Sequence, residues 1–273
     1  MRKHLFILPL LTTALLTAYA QTPLNRLDSL YFDGDVEAAS VYAEKVLNDP
    51  NQSASQKKAV SAYLEMRRFL TDATLSGREK RTGLDACLLL AEEAATSDPV
   101  CADAWYARAL NRMFAANMVR EFSSLEAITA AKDDFIRAIN ADPNHFGSLA
   151  ELSGIYGHMP ELITFGDRST AVSLSKQLYA IRGTKRDAQQ LVSLLLRRDW
   201  SLRKREKELP SQESAFAAAK SPFEAAAAFE GSFEAKTLFG VPTDDRTEAA
   251  RISEKFHLTP ADTDGEKAWS RDF

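Results

Sequence analysis

The sequence punctuates itself with Asp-Pro. The dipeptide stands at Asp49-Pro50, Asp98-Pro99 and Asp142-Pro143, with the prolines 49 and 44 residues apart. Each closes a segment whose apolar residues recur every three or four positions. Proline disfavours the α conformation of the residue before it and lacks the amide that would continue the ladder, so each dipeptide reads as a helix stop. Behind the stops, small or apolar residues recur seven apart: Ala39 and Val46, Cys87 and Ala94, Ala131 and Ala138, and Ala171 and Leu178 before Gly183. Seven residues are two helical turns, so each pair shares a face on which a neighbouring helix can lie close. Gly34-Asp35 and Gly166-Asp167 stand at the same distance ahead of Ala39 and Ala171. Glycine permits the positive φ of an interhelical turn, and Asp caps the helix that follows. Such a chain is expected to be a succession of helices. Only 11 Gly and 10 Pro in 273 residues agree with that.

The pattern predicts helices over 23–33, 35–48, 54–73, 79–97, 101–118, 122–141, 144–157 and 167–182, which makes four pairs. Beyond Gly183 the character changes. Residues 184–208 read as one amphipathic helix, with Leu191, Leu194, Leu195, Trp200 and Leu202 on its apolar side and a basic run from Arg197 to Lys207. That run is a docking surface or, since Asp199, Glu206 and Glu208 interleave it, a solvated face. Phe216, Phe223, Phe229, Phe233 and Phe239 form a stripe that packs on the last pair or makes a subunit interface in a homo-oligomer. A short helix is expected from about residue 244 to His257. The organisation is thus residues 21–183 as repeats and 184–273 as a helical extension.

Two resemblances follow from these residues. The Gly-Asp turns, the Asp-Pro exits and the stripe Leu149, Leu152, Ser153 and Tyr156 resemble the tetratricopeptide repeat. This implies an all-α, TPR-like α-solenoid of about four helix pairs. Arg108 and Arg112 depart from the stripe, falling where apolar residues are expected. The string Ile155-Tyr156-Gly157-His158-Met159-Pro160-Glu161-Leu162, followed by Gly166-Asp167 and Ala171, is similar to the periplasmic T component of TPR-associated TRAP transporters. Phe165 stands where that family commonly has a first Gly, and the lipid-accepting Cys common in its members is absent.

Residues 1–20 read as a secretory signal peptide. Arg2, Lys3 and His4 begin it, an apolar run covers 5–16, and Ala18 and Ala20 occupy the −3 and −1 positions of a cleavage site. The expected location is the periplasm or the medium. Thiols oxidise there, yet Cys87 and Cys101 flank the Asp98-Pro99 turn at heights that differ by about 12 Å. A disulfide tolerates a Cα separation of about 7 Å, so two reduced thiols are expected.

Chemistry is hard to place. Lys+Arg of 34 against Asp+Glu of 38 makes no case for nucleic acid. His145, His158 and His257 stand far apart, and none has a Cys or carboxylate at ligand spacing. Glu92-Glu93 and Asp133-Asp134 are adjacent, and on a helix adjacent residues diverge by about 100°. No catalytic residue, metal or cofactor is therefore predicted, which leaves binding. Stacked helix pairs present a groove lined by one face of each first helix. Tyr106, Leu110, Met113 and Phe114 fall on that face in the third pair; Gly154, Gly157 and His158 do so in the fourth, beside Tyr156. These aromatic and Met side chains opposite glycines would make an apolar cleft for a peptide, a helix or a small ligand, although core faces show the same spacing. The predicted function is an exported, non-catalytic scaffold that holds a protein partner in the bacterial envelope. The transporter resemblance implies the solute-binding subunit as that partner and an apolar ligand in a central cleft. The alternative is a carrier of a small apolar ligand or lipid.

Overall fold

The structure, a computed structural model, describes residues 21–117, 123–159, 165–206, 244–259 and 262–263. The signal-peptide reading of 1–20, residues 160–164 of the stretch between Tyr156 and Gly166, and the Phe-rich stripe within 207–243 lie outside these residues. Among the described residues the chain is all-α. Its helices are α1 (Pro23–Phe32), α2 (Val36–Asn48), α3 (Ala54–Thr71), α4 (Gly77–Ser97), α5 (Ala102–Asn117), α6 (Ser123–Ala141), α7 (Phe146–His158), α8 (Arg168–Arg182), α9 (Lys185–Glu206) and α10 (Asp244–Phe256).

Local chemistry sets these limits. Ser53 and Ser76 each accept the amide of the residue three on, Gln56 and Glu79, whose side chains return to the serine amides. Such a capping box satisfies two orphan donors at once, and it starts α4 two residues ahead of the sequence expectation. The α1 end is a Schellman turn. Gly34 adopts φ +75°, the Asp35 amide donates to the Leu30 carbonyl at 3.0 Å, and the Gly34 amide donates to Tyr31 at 3.2 Å. Asp35 then caps α2 by accepting the Ala38 amide at 3.0 Å. The expectation of a positive φ at Gly166 is corrected, because Gly34 and Gly183 are the described glycines in that region. At Gly166-Asp167 the cap defines the turn: Asp167 accepts the Ser169 and Thr170 amides, and its own amide donates to the Tyr156 carbonyl at 3.0 Å.

Helices α3 and α4, α5 and α6, α7 and α8, and α9 and α10 pack against each other in turn. The seven-apart residues face the interior: Ala39, Val46, Cys87, Ala94, Ala131, Ala138, Ala171 and Leu178 are all buried. Gly157 brings α7 onto α9, since a Cβ there would stand 2.2 Å from Leu194 Cδ2. The main core runs through α1 to α7, and a second one joins Ala171 and Val172 to Leu191, Val192, Leu195 and Ile252. Cys87 and Cys101 are both buried, unbonded thiols.

Arg108 and Arg112 have a partner that the stripe did not reveal. Asp134 of α6, without solvent exposure, accepts from Arg108 at 2.9 and 2.5 Å, Arg112 at 2.6 Å and Arg137 at 3.3 Å. Arg112 also reaches Glu92 of α4 at 3.0 Å. The Trp105 ring holds the guanidinium carbons of Arg108 and Arg137 at 4.4 and 4.8 Å from its centroid. An ionic cluster thereby ties α4, α5 and α6 together. Arg198 of the basic run is likewise engaged: it donates to Asp245 at 2.8 and 2.5 Å, which fastens α10 to α9.

Helix α1 departs from the succession. The sequence expects it to form an ordinary first pair with α2. It packs on α2 and α3 and also on α5 and α7, the first helices of two later pairs.

Candidate functional site

The face of α1 turned toward these helices reads Thr22, Leu24, Asn25, Leu27, Asp28 and Leu30, with leucines and polar residues each at three-residue steps. Leu24 and Leu27 have no exposure and enter the main core. Each such leucine is worth about 1.5–3 kcal/mol of transfer free energy.

The polar groups are matched one by one. The Thr22 hydroxyl donates to Asp103 Oδ1 at 2.6 Å, and the Leu24 amide, an orphan of the α1 first turn, donates to Asp103 Oδ2 at 3.3 Å. The Gly147 amide, an orphan of the α7 first turn, donates to Asn25 Oδ1 at 3.1 Å. The Tyr63 hydroxyl of α3 donates to Asp28 Oδ1 at 2.5 Å, and the Tyr106 hydroxyl of α5 donates to Asp28 Oδ2. At the other end of α1, the guanidinium carbon of Arg186 lies 3.3 Å from the Phe32 ring centroid. Asp103, Gly147 and Arg186 are each the second residue of their helix. Helix α1 therefore runs past the N-terminal turns of α5, α7 and α9, where the partial positive charge of helix ends suits the carboxylates of Asp28 and Asp103.

Gly147 is what permits the fit. A Cβ at that position would lie 2.7 Å from Tyr106 Cζ and 2.9 Å from Asp28 Oδ2. His145 completes the arrangement. It caps α7, its Nδ1 accepting the Ser148 amide at 3.2 Å. The ring proton therefore sits on Nε2, 3.1 Å from Asp103 Oδ1. Ser148 Oγ lies 3.0 Å from the same Nδ1. Asp103, His145 and Ser148 thus stand in the order of a hydrolytic relay, but the serine faces the nitrogen that caps its own helix, and all three are buried. The row is a helix cap anchored to α5. Beside it opens a recess of about 300 Å³ whose lining includes Thr22, Cys101, Asp103 and Asp142. Burial, and then the Asp103 charge, raise the Cys101 thiol above its ordinary value.

Asn25, Asp28, Tyr63, Asp103, Tyr106, His145 and Ser148 are each at most 2% exposed. With α1 in place almost none of their surface is open to solvent. This corrects the open cleft expected along Tyr106, Leu110 and Met113. All three are buried in the main core, and α1 takes the Tyr106 hydroxyl. Phe114 is half-buried against the same core. Tyr156 is half-buried, edge-on to Phe165 with centroids 6.4 Å apart. His158 holds a ring nitrogen 2.8 Å from the Gly154 carbonyl. Tyr156 lies nine residues along α7 from Gly147, about 14 Å, so the structure does not bring Tyr156 or His158 to the Asp28 cluster. Sequence reasoning missed Asp28, Tyr63, Asp103 and Asn25. The available signal was two polar residues, Asn25 and Asp28, each directly after a leucine of an otherwise apolar face.

Among the described residues no group of His, Cys, Asp and Glu could hold a metal ion, and no helix is long and apolar enough to cross a membrane. No protein-family model matches the sequence, and neither does any curated protein.

Proposed function

We propose that this chain is a binding protein, a TPR-like array of helical hairpins that holds a partner protein in the bacterial envelope. The observation that carries this reading is the seat of α1: one helix laid across α3, α5 and α7, its leucines buried and its polar groups paired. Repeat arrays bind through the face of their first helices, and here that face accommodates a helix. The Asp-Pro and Gly-Asp punctuation and the buried seven-apart pairs support the repeat reading. The location outside the cytoplasm rests on the character of residues 1–20. The string from Ile155 to Ala171 favours the solute-binding subunit of a TRAP-type transporter as the partner. At Tyr106 the shape seated on this face is a helix, α1, and a face that fits a helix favours a protein partner over a carried apolar molecule.

The test is sedimentation of the chain, without residues 1–20, mixed with solute-binding proteins encoded beside its gene. A stoichiometric complex is expected. If none forms and native mass spectrometry shows an apolar molecule retained by the chain, the carrier function replaces the scaffold.

A further inference from the structure

We propose that the α3, α5 and α7 face is a helix-binding surface that α1 fills in the absence of a partner, and that the partner supplies a helix with the pattern Leu-polar-x-Leu-acid. This rests on the reading of the chain as a partner-binding protein and names what the partner must present. The occupant is inferred from the mould. Leu24 and Leu27 fill the apolar part of the face, Asn25 accepts an orphan amide of α7, and Asp28 accepts two tyrosine hydroxyls beside the α7 N-terminus. A helix that reproduces Leu24-Asn25-x-Leu27-Asp28 meets the same donors. A helix with a basic residue in place of Asp28 would place a cation against hydroxyl donors and a positive helix end.

Two features of α1 suit it to leave. It has 10 residues, too few for a stable helix in isolation, so once displaced it loses order and does not compete as a preformed rod. It is joined to α2 by residues 33–35, whose Gly34 at φ +75° is the natural hinge. The remaining first-helix contacts, such as α3 with α5, and the Asp134 cluster do not pass through α1.

The experiment uses the full chain after residue 20 and a fluorescent peptide of residues 21–34. Peptide binding is read by anisotropy against the wild-type chain and against the Leu27→Ala, Asp28→Asn double variant, whose own α1 is weakened. The variant is expected to bind the peptide about tenfold more tightly than the wild type, and a peptide carrying Asp28→Ala is expected to lose about tenfold. Equal binding to both chains, with the variant folded by circular dichroism, overturns the proposal. Should the variant fail to fold, hydrogen exchange of the wild-type chain decides. Amides of α1 that open well before those of α5 support a displaceable helix; α1 amides that exchange only with global unfolding overturn it. A chain that binds a partner protein while refusing the peptide keeps the proposed function and loses this inference.

Discussion

Asp134 accepts from three guanidinium groups while fully buried, and two of the three, Arg108 and Arg112, are themselves largely withdrawn from water. Removing Asp134 leaves the buried Arg108 guanidinium without its carboxylate, while Arg112 keeps Glu92 and Arg137 keeps water. Asp134→Ala is expected to destabilise the fold by about 3–5 kcal/mol, read from the denaturant midpoint. A loss under about 1 kcal/mol, the range of exposed pairs, would show the cluster to be an ordinary surface network. Tyr106→Phe removes a hydroxyl and little else. The Asp28 carboxylate keeps Tyr63 but loses one charge-assisted bond, at a cost of about 1.5–3 kcal/mol. If Tyr106 acted through apolar contact alone, as the cleft reading had it, the same substitution would leave stability unchanged.

At the scale of elements, Gly147 and Gly157 separate two interfaces of α7. A methyl at Gly147 meets Tyr106 and Asp28; at Gly157 it meets Leu194 of α9. Overpacking costs about 1–3 kcal/mol, set against the roughly 1 kcal/mol that Ala gains over Gly in a helix. Gly147→Ala is therefore expected to speed hydrogen exchange in α1 while α9 and α10 keep their protection, and Gly157→Ala the reverse. Exchange that rises equally throughout in both variants would mean that α1 has no independent seat. The contrast also marks what was legible in the sequence. Helix limits could be read because caps are local: Ser53 with Gln56, Asp35 with Ala38, Asp before Pro. The path of α1 could not, because it is fixed by bonds between residues as far apart as Asn25 and Gly147. No periodicity encodes such a contact. Spacing did single out Tyr106, Leu110 and Met113, but a three- and four-residue stripe is the same on a groove wall and in a core. What closed the face was a helix from elsewhere in the chain. Arg108 and Arg112 looked like faults in a repeat for a similar reason, since their partner Asp134 lies on the next helix.

For the molecule as a whole, the titrating groups bracket a stability plateau. Carboxylates at the turns are held below their ordinary range: Asp49 by the Asn51 amide, Asp72 and Glu79 by the Thr74 and Ser76 hydroxyls, Asp167 by Thr170 and Asp262 by Thr259. A carboxyl group with a depressed folded value contributes stability that is present above the unfolded value of about 4. That stability is lost as pH falls through the folded value. On the other side, burial pushes the Cys87 thiol up to about 11, and burial also raises Cys101 and Tyr42. An unfolded thiol releases its proton near 8.5, so the contribution of the neutral thiol is complete below that pH and drains away as pH climbs toward the folded value. The melting temperature should therefore be level between about pH 5 and 8, and fall below about 4 and above about 9. The two limbs come from different parts of the fold, the acid limb from exposed turns and the alkaline limb from the core. Cys87→Ala tests that separation. It lowers the whole curve by leaving a small cavity, but it should flatten the alkaline limb and leave the acid limb parallel to the wild type. An alkaline limb of unchanged slope in that variant would mean that Cys87 does not set the upper boundary and that Cys101 and Tyr42, also raised by burial, do.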